Sequence, residues 1–183
     1  MFALGSKPLI DTIGNGIIMI RKCQPSEIEM IDEIINEAAG SYKGVIPANC
    51  WHEPYMSREQ LKKEIAQGIV FWGFEKDAKL VAVMGIQDKG DVNLIRHAYV
   101  KTHLQKQGIG TRLLQHLEST EDKPILIGTW ADAGWAIAFY QKNGYRLLTK
   151  AEKDRLLGKY WRIPTRQVQS SVVLAHRKWV DAR

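Results

Sequence analysis

The sequence predicts a mixed α/β domain whose sheet begins antiparallel and ends in one parallel βαβ crossover. Three observations carry this. Apolar runs at 69–74, 80–87 and 92–100 are joined by links too short to hold a helix, which argues an antiparallel meander. A helical pattern with Ile109, Leu113, Leu114 and Leu117 then separates the third run from a further strand at 125–130, the order of a parallel crossover. Strand and helix periods continue to alternate afterwards, without internal repeats or low-complexity segments.

In chain order, residues 1–18 are read as an N-terminal extension, or an artefact of start-codon choice, and residues 19–183 as the domain. Residues 17–22 form a strand. Ser26 and Glu29 make a capping box, and Ile28, Ile31, Ile34 and Ile35 follow at helical spacing to about Ala39, with Gly40 as the stop. A long loop at 41–56 carries Tyr42, Trp51, His52, Glu53 and Tyr55. Ser57 and Gln60 cap a second helix, closed by Gly68. Turns around Asp77 and across 88–91 divide the meander. After the crossover come a helix at 132–143 stopped by Gly144, a strand at 145–149, a short charged helix at 151–157 and a last strand at 171–176.

A chain of 183 residues is one domain with room for a proper core. Its net charge of +6 suits an anionic cofactor, a nucleic acid or an anionic membrane, and also plain solubility. Cys23 and Cys50 form no metal or redox motif, which points to reduced thiols and a cytoplasmic setting. No run is long enough to span a bilayer, and Asp11, Asn15 and Gly16 interrupt any signal-like segment. No clustered ligand spacing predicts a metal.

The stretch Gln105-Lys106-Gln107-Gly108-Ile109-Gly110, followed by Thr111, sits between a strand and a helix. A helix start exposes unpaired N–H groups and partial positive charge, which suit a phosphate, and a missing β-carbon lets a ligand approach the backbone. Turn chemistry alone is the other reading of two glycines. No Gly-Lys-Ser/Thr follows, so this is not a P-loop, and the third glycine of a dinucleotide fingerprint is missing.

A second motif joins it. Residues 136–145, Ala-Ile-Ala-Phe-Tyr-Gln-Lys-Asn-Gly-Tyr, resemble the Ala-Ile-x-Phe-Tyr-x-Lys-x-Gly-Phe/Tyr signature of the GNAT superfamily of N-acetyltransferases. Ala98-Tyr99-Val100 is similar to that family's Leu-Tyr-Val, and residues 105–110 match its Arg/Gln-x-x-Gly-x-Gly/Ala loop. The resemblance covers residues 19 to about 150 well and the end of the chain loosely. It implies a GNAT-like fold with splayed central strands, and acetyl-coenzyme A as acyl donor. By resemblance the pantetheine arm pairs with the backbone around Ala98, Tyr99 and Val100. The pyrophosphate takes N–H groups across Gln105, Lys106, Gln107, Gly108, Ile109, Gly110 and Thr111, with Lys142 in the same set. Tyr140 is implied as the acid facing the coenzyme sulfur. His97 is the candidate base, with Glu53 and His52 as rivals on the loop that the family uses for the acceptor. The family's asparagine before the Phe-Tyr helix is Ala133 here, so one side-chain contact to the cofactor is absent.

The reading is an N-acetyltransferase acting by direct attack, since no cysteine sits in the motifs. A free amino acid, polyamine, aminoglycoside or peptide N-terminus all remain open as acceptor, and Glu53 with Glu59 leans toward a cation. Trp51 and Tyr55 are expected at the acceptor pocket and Phe71 and Trp72 in the core. His103 is expected in a loop and His116 on a helix surface. The alternative is a non-catalytic binding module that uses Lys159, Arg162, Arg166, His176, Arg177 and Lys178 with Tyr160, Trp161 and Trp179. Nucleic acid is nonetheless not the expected partner, nor is a membrane, and a homodimer through the last strand is compatible with the pattern.

Overall fold

The structure, a computed structural model, describes residues 9–13, 16–176 and 179. Eight strands form one sheet: β1 (Leu9–Ile13), β2 (Gly16–Lys22), β3 (Ile69–Lys76), β4 (Lys79–Asp88), β5 (Asn93–Val100), β6 (Ile125–Trp130), β7 (Tyr145–Leu147) and β8 (Ser171–His176). Their order is β1-β2-β3-β4-β5-β6-β8-β7. The first five are an antiparallel run, β5 and β6 are parallel, and β8 inserts antiparallel between β6 and β7. The helices are α1 (Ile28–Ala39), α2 (Arg58–Ala66), α3 (Ile109–Thr120), α4 (Gly134–Lys142), α5 (Lys150–Tyr160) and α6 (Thr165–Gln169).

Strand alternation sorts the core into two layers. On one face, Met84, Ile95 and Ile127 pack with Ile109, Leu113 and Leu117 of α3 and with Tyr140 of α4. On the other, Phe71 and Val83 meet Ile31, Ile34 and Ile35 of α1 and Leu61 of α2. On that second face, Leu94, Leu126 and Val173 meet Leu156 and Leu157 of α5. Phe71 and Trp72 are core residues, as expected.

Several boundaries differ from the sequence reading, each for a local reason. The first helix is capped one turn earlier: the Glu27 carboxylate accepts the Gln24 N–H at 2.6 Å, and Pro25 opens a 3₁₀ turn that leads into α1. Ser26 and Glu29 therefore do not form the cap. Gly40 does not end α1 in a left-handed turn; its φ of −52° carries the chain on into a 3₁₀ turn, Gly40–Tyr42. Thr149 leaves the sheet to cap α5, its hydroxyl and N–H both bonded to Glu152. Two elements carry too few residues for a period to show, α6 and β1. The β1 strand falls inside the stretch read as an extension and pairs with β2 from Leu9–Ile20 to Ile13–Gly16.

The parallel pairing of β5 with β6 is short. It covers only Asn93–Ile125, Leu94–Leu126 and Ile95–Ile127, after which the strands part. At the same point β5 bulges away from β4. Gly85 opposes Arg96 and Val83 opposes Tyr99, so Met84 alone spans His97 and Ala98. His97 takes a φ of +52° there. The bulge depends on Gly85, where an added Cβ would stand 2.8 Å from the Arg96 carbonyl oxygen and 2.8 Å from Ile69 Cγ2.

Gly85→Ala is expected to lower stability by about 1–3 kcal/mol through this overpacking. Gly158→Ala, inside α5 with nothing within 4 Å of its new Cβ, should raise stability by about 0.5–1 kcal/mol. Urea denaturation of the two variants measures both, and a neutral Gly85→Ala would show that the bulge has room to relax.

Candidate active site

Where β5 leaves β6, one side of its backbone loses its partner. The Lys101 N–H donates to the Val81 carbonyl at 2.9 Å, so residue 101 faces β4. Alternation then turns Tyr99 toward β4 and Ala98 and Val100 toward the gap. Among the described residues a side chain reaches Val100 from this direction: Gln105 Nε2 donates to its carbonyl at 3.2 Å. The gap opens into a cavity of about 660 Å³ that runs from the glycine loop through the sheet. Its wall includes Ala98, Tyr99, Val100, Gln105, Lys106, Gly108, Ile109, Gly110, Thr111 and Lys142; Gln107 is exposed and stands outside it.

The two glycines of the loop have different tasks. Gly108 is the N-cap of α3 with φ +81°, a left-handed position, and no side chain caps the helix. Lys106 is left-handed too, at φ +63°. The first-turn N–H groups of α3 thus stay available at the cavity wall. A Cβ on Gly108 would meet nothing within 4 Å, so conformation rather than crowding requires glycine there. Gly110 is ordinary helix, and its Cβ would stand 3.3 Å from the Phe139 ring. It lets α4 dock on the first turn of α3, a packing role beside its place on the cavity wall. Residue 133 is the N-cap of α4 and offers no side-chain cap.

Beyond the gap, on the α2 face, the bulge gathers three charged or titratable groups. It turns His97 away from Ala98, as alternation predicts, but it also turns Arg96 to the same side. Glu64 of α2 lies between them: Oε2 is 2.5 Å from His97 Nε2 and 3.2 Å from Arg96 Nη2. Gln60 donates to the other carboxylate oxygen at 3.0 Å, and Arg96 reaches Gln87 at 3.3 Å. His97 also stacks on Phe71, with centroids 6.1 Å apart. Burial disfavours the Glu64 carboxylate, yet the His97 hydrogen bond and the charges of His97 and Arg96 outweigh it, and the carboxyl falls from the ordinary 4.5 to about 2. Arg96 and His97 belong to the cavity wall.

Aromatic rings close this end. Tyr42 stacks on Trp135 at 5.6 Å and lies 5.6 Å from Tyr55. Trp130 Nε1–H donates to the Tyr55 hydroxyl at 2.9 Å. Burial pushes the Tyr42 phenol up to about 12 and the Tyr99 phenol well above its usual range. Tyr140, 6% exposed, reaches the wall from α4, and burial pushes its phenol pKa up as well, with Tyr42 adding to it.

The structure does not bring every candidate together. Glu53 is 74% exposed at the side chain, pairs with Lys43 at 3.1 Å and does not touch the cavity. His52 and Glu59 are likewise exposed and away from it. Tyr55 lines the cavity, while Trp51 packs against it from behind at 5.6 Å. His103 is exposed, but His116 is buried against Trp72 at 4.8 Å and not on the surface. Tyr160 and Trp161 of the supposed basic-aromatic patch are buried, and Lys159 is paired with Asp91 at 2.7 Å. Arg177 and Lys178 lie outside the described residues. Sequence reasoning missed Glu64, Trp130 and Trp135, and it gave Trp161 to the basic-aromatic patch instead of the cavity wall. Glu64 reads as one more charged residue of a polar helix, and only the bulge in β5 brings His97 to it.

Glu64 also predicts an acid response. Its folded-state pKa lies below the unfolded one, so the unfolded chain takes up the proton first as pH falls. Its stabilisation is complete above about pH 4.5 and is lost as pH approaches 2. Glu64→Gln should cost on the order of 2 kcal/mol at pH 7 and flatten the acid limb of stability against pH. Denaturation midpoints from pH 2 to 7 test this, and parallel curves for the two proteins would contradict it.

No helix among the described residues is long and apolar enough to cross a membrane. The fold resembles the PaiA N-acetyltransferase of Thermoplasma acidophilum, solved in complex with coenzyme A. That match has 21% identity and TM-score 0.66 over 87% of this chain and 98% of that one. A GNAT-family acetyltransferase of Staphylococcus aureus Mu50 matches at 17% identity and TM-score 0.63, over 87% and 98% of the two chains. The ribosomal-protein-S18-alanine N-acetyltransferase of Escherichia coli matches at 16% and 0.58, over 87% and 92%. At these identities the likeness is one of fold. No protein with a curated description matches the sequence. The acetyltransferase (GNAT) domain profile matches residues 33–155, and with the split β5–β6 pair and the uncapped start of α3 in place, the chain belongs to the GNAT acetyltransferase family.

Proposed function

We propose that the protein transfers an acetyl group from acetyl-coenzyme A to a primary amine, with donor and acceptor bound together. The observation that carries this reading is one cavity wall that combines three features. They are the β5 edge at Ala98 and Val100, which has no strand partner there, the uncapped N-terminus of α3, and His97 backed by Glu64. The site fits the donor. An amide-bearing arm completes a strand edge by β-type hydrogen bonds, and a diphosphate suits N–H groups at a helix start. Lys106 and Lys142 add positive charge at the same end. The stretch from Gln105 through Thr111 is the proposed diphosphate segment, with Gln107 contributing backbone only.

Acetyl-coenzyme A supplies a thioester carbon open to attack. The outward N–H of Val100 is the proposed donor to the carbonyl oxygen as negative charge gathers there. His97 is the proposed base. When Nε2–H donates to Glu64, Nδ1 carries the free lone pair and takes a proton from the attacking amine. The new bond is N–C, the broken bond is C–S, and sulfur leaves with its electron pair; the proton that His97 took from the amine passes to solvent, and solvent returns one to the thiolate to give the coenzyme A thiol. A thiol ionises near ~8.5, and Tyr140 holds its proton well above that. Full proton transfer from Tyr140 to the thiolate is therefore uphill. Its role narrows from acid to hydrogen-bond donor at the departing sulfur. Neither Cys23 nor Cys50 reaches the cavity, which supports direct attack over an acyl-enzyme. Glu53, exposed on its loop, is not carried forward as a base.

Tyr140→Phe is expected to lower kcat by roughly 10- to 100-fold, with the KM for acetyl-coenzyme A changed less than about twofold. A matching loss in both terms, read from thiol-release kinetics, would make Tyr140 a packing residue. Gly108→Val forces a branched side chain into a left-handed position. Titration calorimetry should show acetyl-coenzyme A binding weakened at least about tenfold. If the unaltered protein gives no heat with acetyl-coenzyme A, the proposed function fails.

A further inference from the structure

The acetyl-transfer reading leaves the acceptor unnamed, and the chemistry of the cavity wall narrows it. Among the described residues none that lines the cavity is an aspartate or glutamate, and its charged members, Arg96, Lys106 and Lys142, are cationic. The carboxylate of Glu64 lies behind Arg96 and His97 and is already bonded to both. An acceptor with several ammonium groups would bury each of them without a counter-charge, at several kcal/mol per ion. A carboxylate-bearing acceptor gains little from Arg96, whose guanidinium is engaged by Glu64 and Gln87.

What the wall does offer beside His97 is flat aromatic surface. Tyr42, Tyr55, Tyr99, Trp130 and Trp161 all line the same cavity. Their placement is fixed by the backbone and by one another. The Trp161 ring lies on β6 because Gly128 has no side chain: a Cβ there would stand 3.1 Å from the indole nitrogen. Tyr55 is held by the Trp130 N–H at 2.9 Å, and Tyr42 is stacked on Trp135. Rings locked in this way bind a flat partner with little ordering cost. Ser41, Thr129, Gln167 and Ser171, which also line the cavity, are polar and neutral.

We infer that the acceptor is a monoamine carried on a flat aromatic body, an arylalkylamine rather than a polyamine or aminoglycoside. This rests on the acetyl-transfer reading. The amine reaches His97 as the acceptor's only basic nitrogen, loses one proton there and forms the amide bond. The ring lies among the aromatic side chains.

The test uses the full chain. Thiol release from acetyl-coenzyme A is measured with tryptamine, phenethylamine, spermidine and kanamycin. The expected result is kcat/KM for the two arylalkylamines at least tenfold above the others. Independently of turnover, phenethylamine should quench tryptophan fluorescence saturably in the presence of coenzyme A, and spermidine should not. Gln167→Glu places a carboxylate in the wall without touching the rings and should shift the kcat/KM ratio toward spermidine by at least fivefold. Equal or better turnover of spermidine or kanamycin by the unaltered protein overturns the inference. So does a ratio that Gln167→Glu leaves unmoved. Acetyl-coenzyme A binding measured beside these assays separates the two failures: heat with acetyl-coenzyme A and turnover of spermidine sinks the acceptor class alone, whereas no heat sinks the transferase reading beneath it.

Discussion

The site depends on one pairing that stops early. β5 and β6 share three residue pairs and then part, and backbone groups that a continuous parallel sheet would satisfy are left facing a gap. Buried backbone N–H and C=O groups without partners are costly. Such an edge persists when something else supplies the hydrogen bonds, and Gln105 already supplies one to Val100. The bulge at His97 and the parting at Ile95 fall next to each other in β5. A single irregular strand therefore opens the cleft and also aims the titratable groups at its far side.

Electrostatics follow from that geometry. Arg96 and His97 would repel each other if both were charged on one face. Glu64 compensates by accepting from both, and it remains ionised far below the ordinary carboxyl range. The phenols facing the cleft show the opposite tendency: with no cation close enough to favour phenolate, burial keeps them neutral. The cleft thus holds one compensated charge cluster and a set of neutral donors, which suits a reaction in which charge appears on the substrate and not on the protein.

Much of the fold was legible because it rests on local pattern. The meander, the crossover helix and β6 follow from period and turn spacing, and Ile125–Trp130 and Ser171–His176 fall where the apolar runs lie. Gly108 was legible as a turn residue, though the reason for Gly110 was not, because Phe139 is far away in sequence. The cap at Gln24 and Glu27 was hidden by a competing Ser26 with correct spacing. The acceptor side was the least legible. Glu64 reaches His97 across 33 residues, and Trp130 reaches Tyr55 across 75. Such contacts depend on strand register and on a bulge that no period announces. Glu53 shows the converse: a carboxylate on the expected loop, turned to Lys43 and solvent.

One contact joins the two ends of the cleft. Phe139 rests on Gly110, and Tyr140 is the next residue along α4. The turn that would hold the diphosphate and the hydroxyl that would meet the sulfur therefore belong to one stiff caliper whose span is set by a ring against a bare backbone. A carrier that keeps the thioester but lacks the nucleotide, such as S-acetylcysteamine, would touch only one jaw. Any substitution that wedges the two helices apart would then change the carrier length that the enzyme gauges before it alters any reacting group.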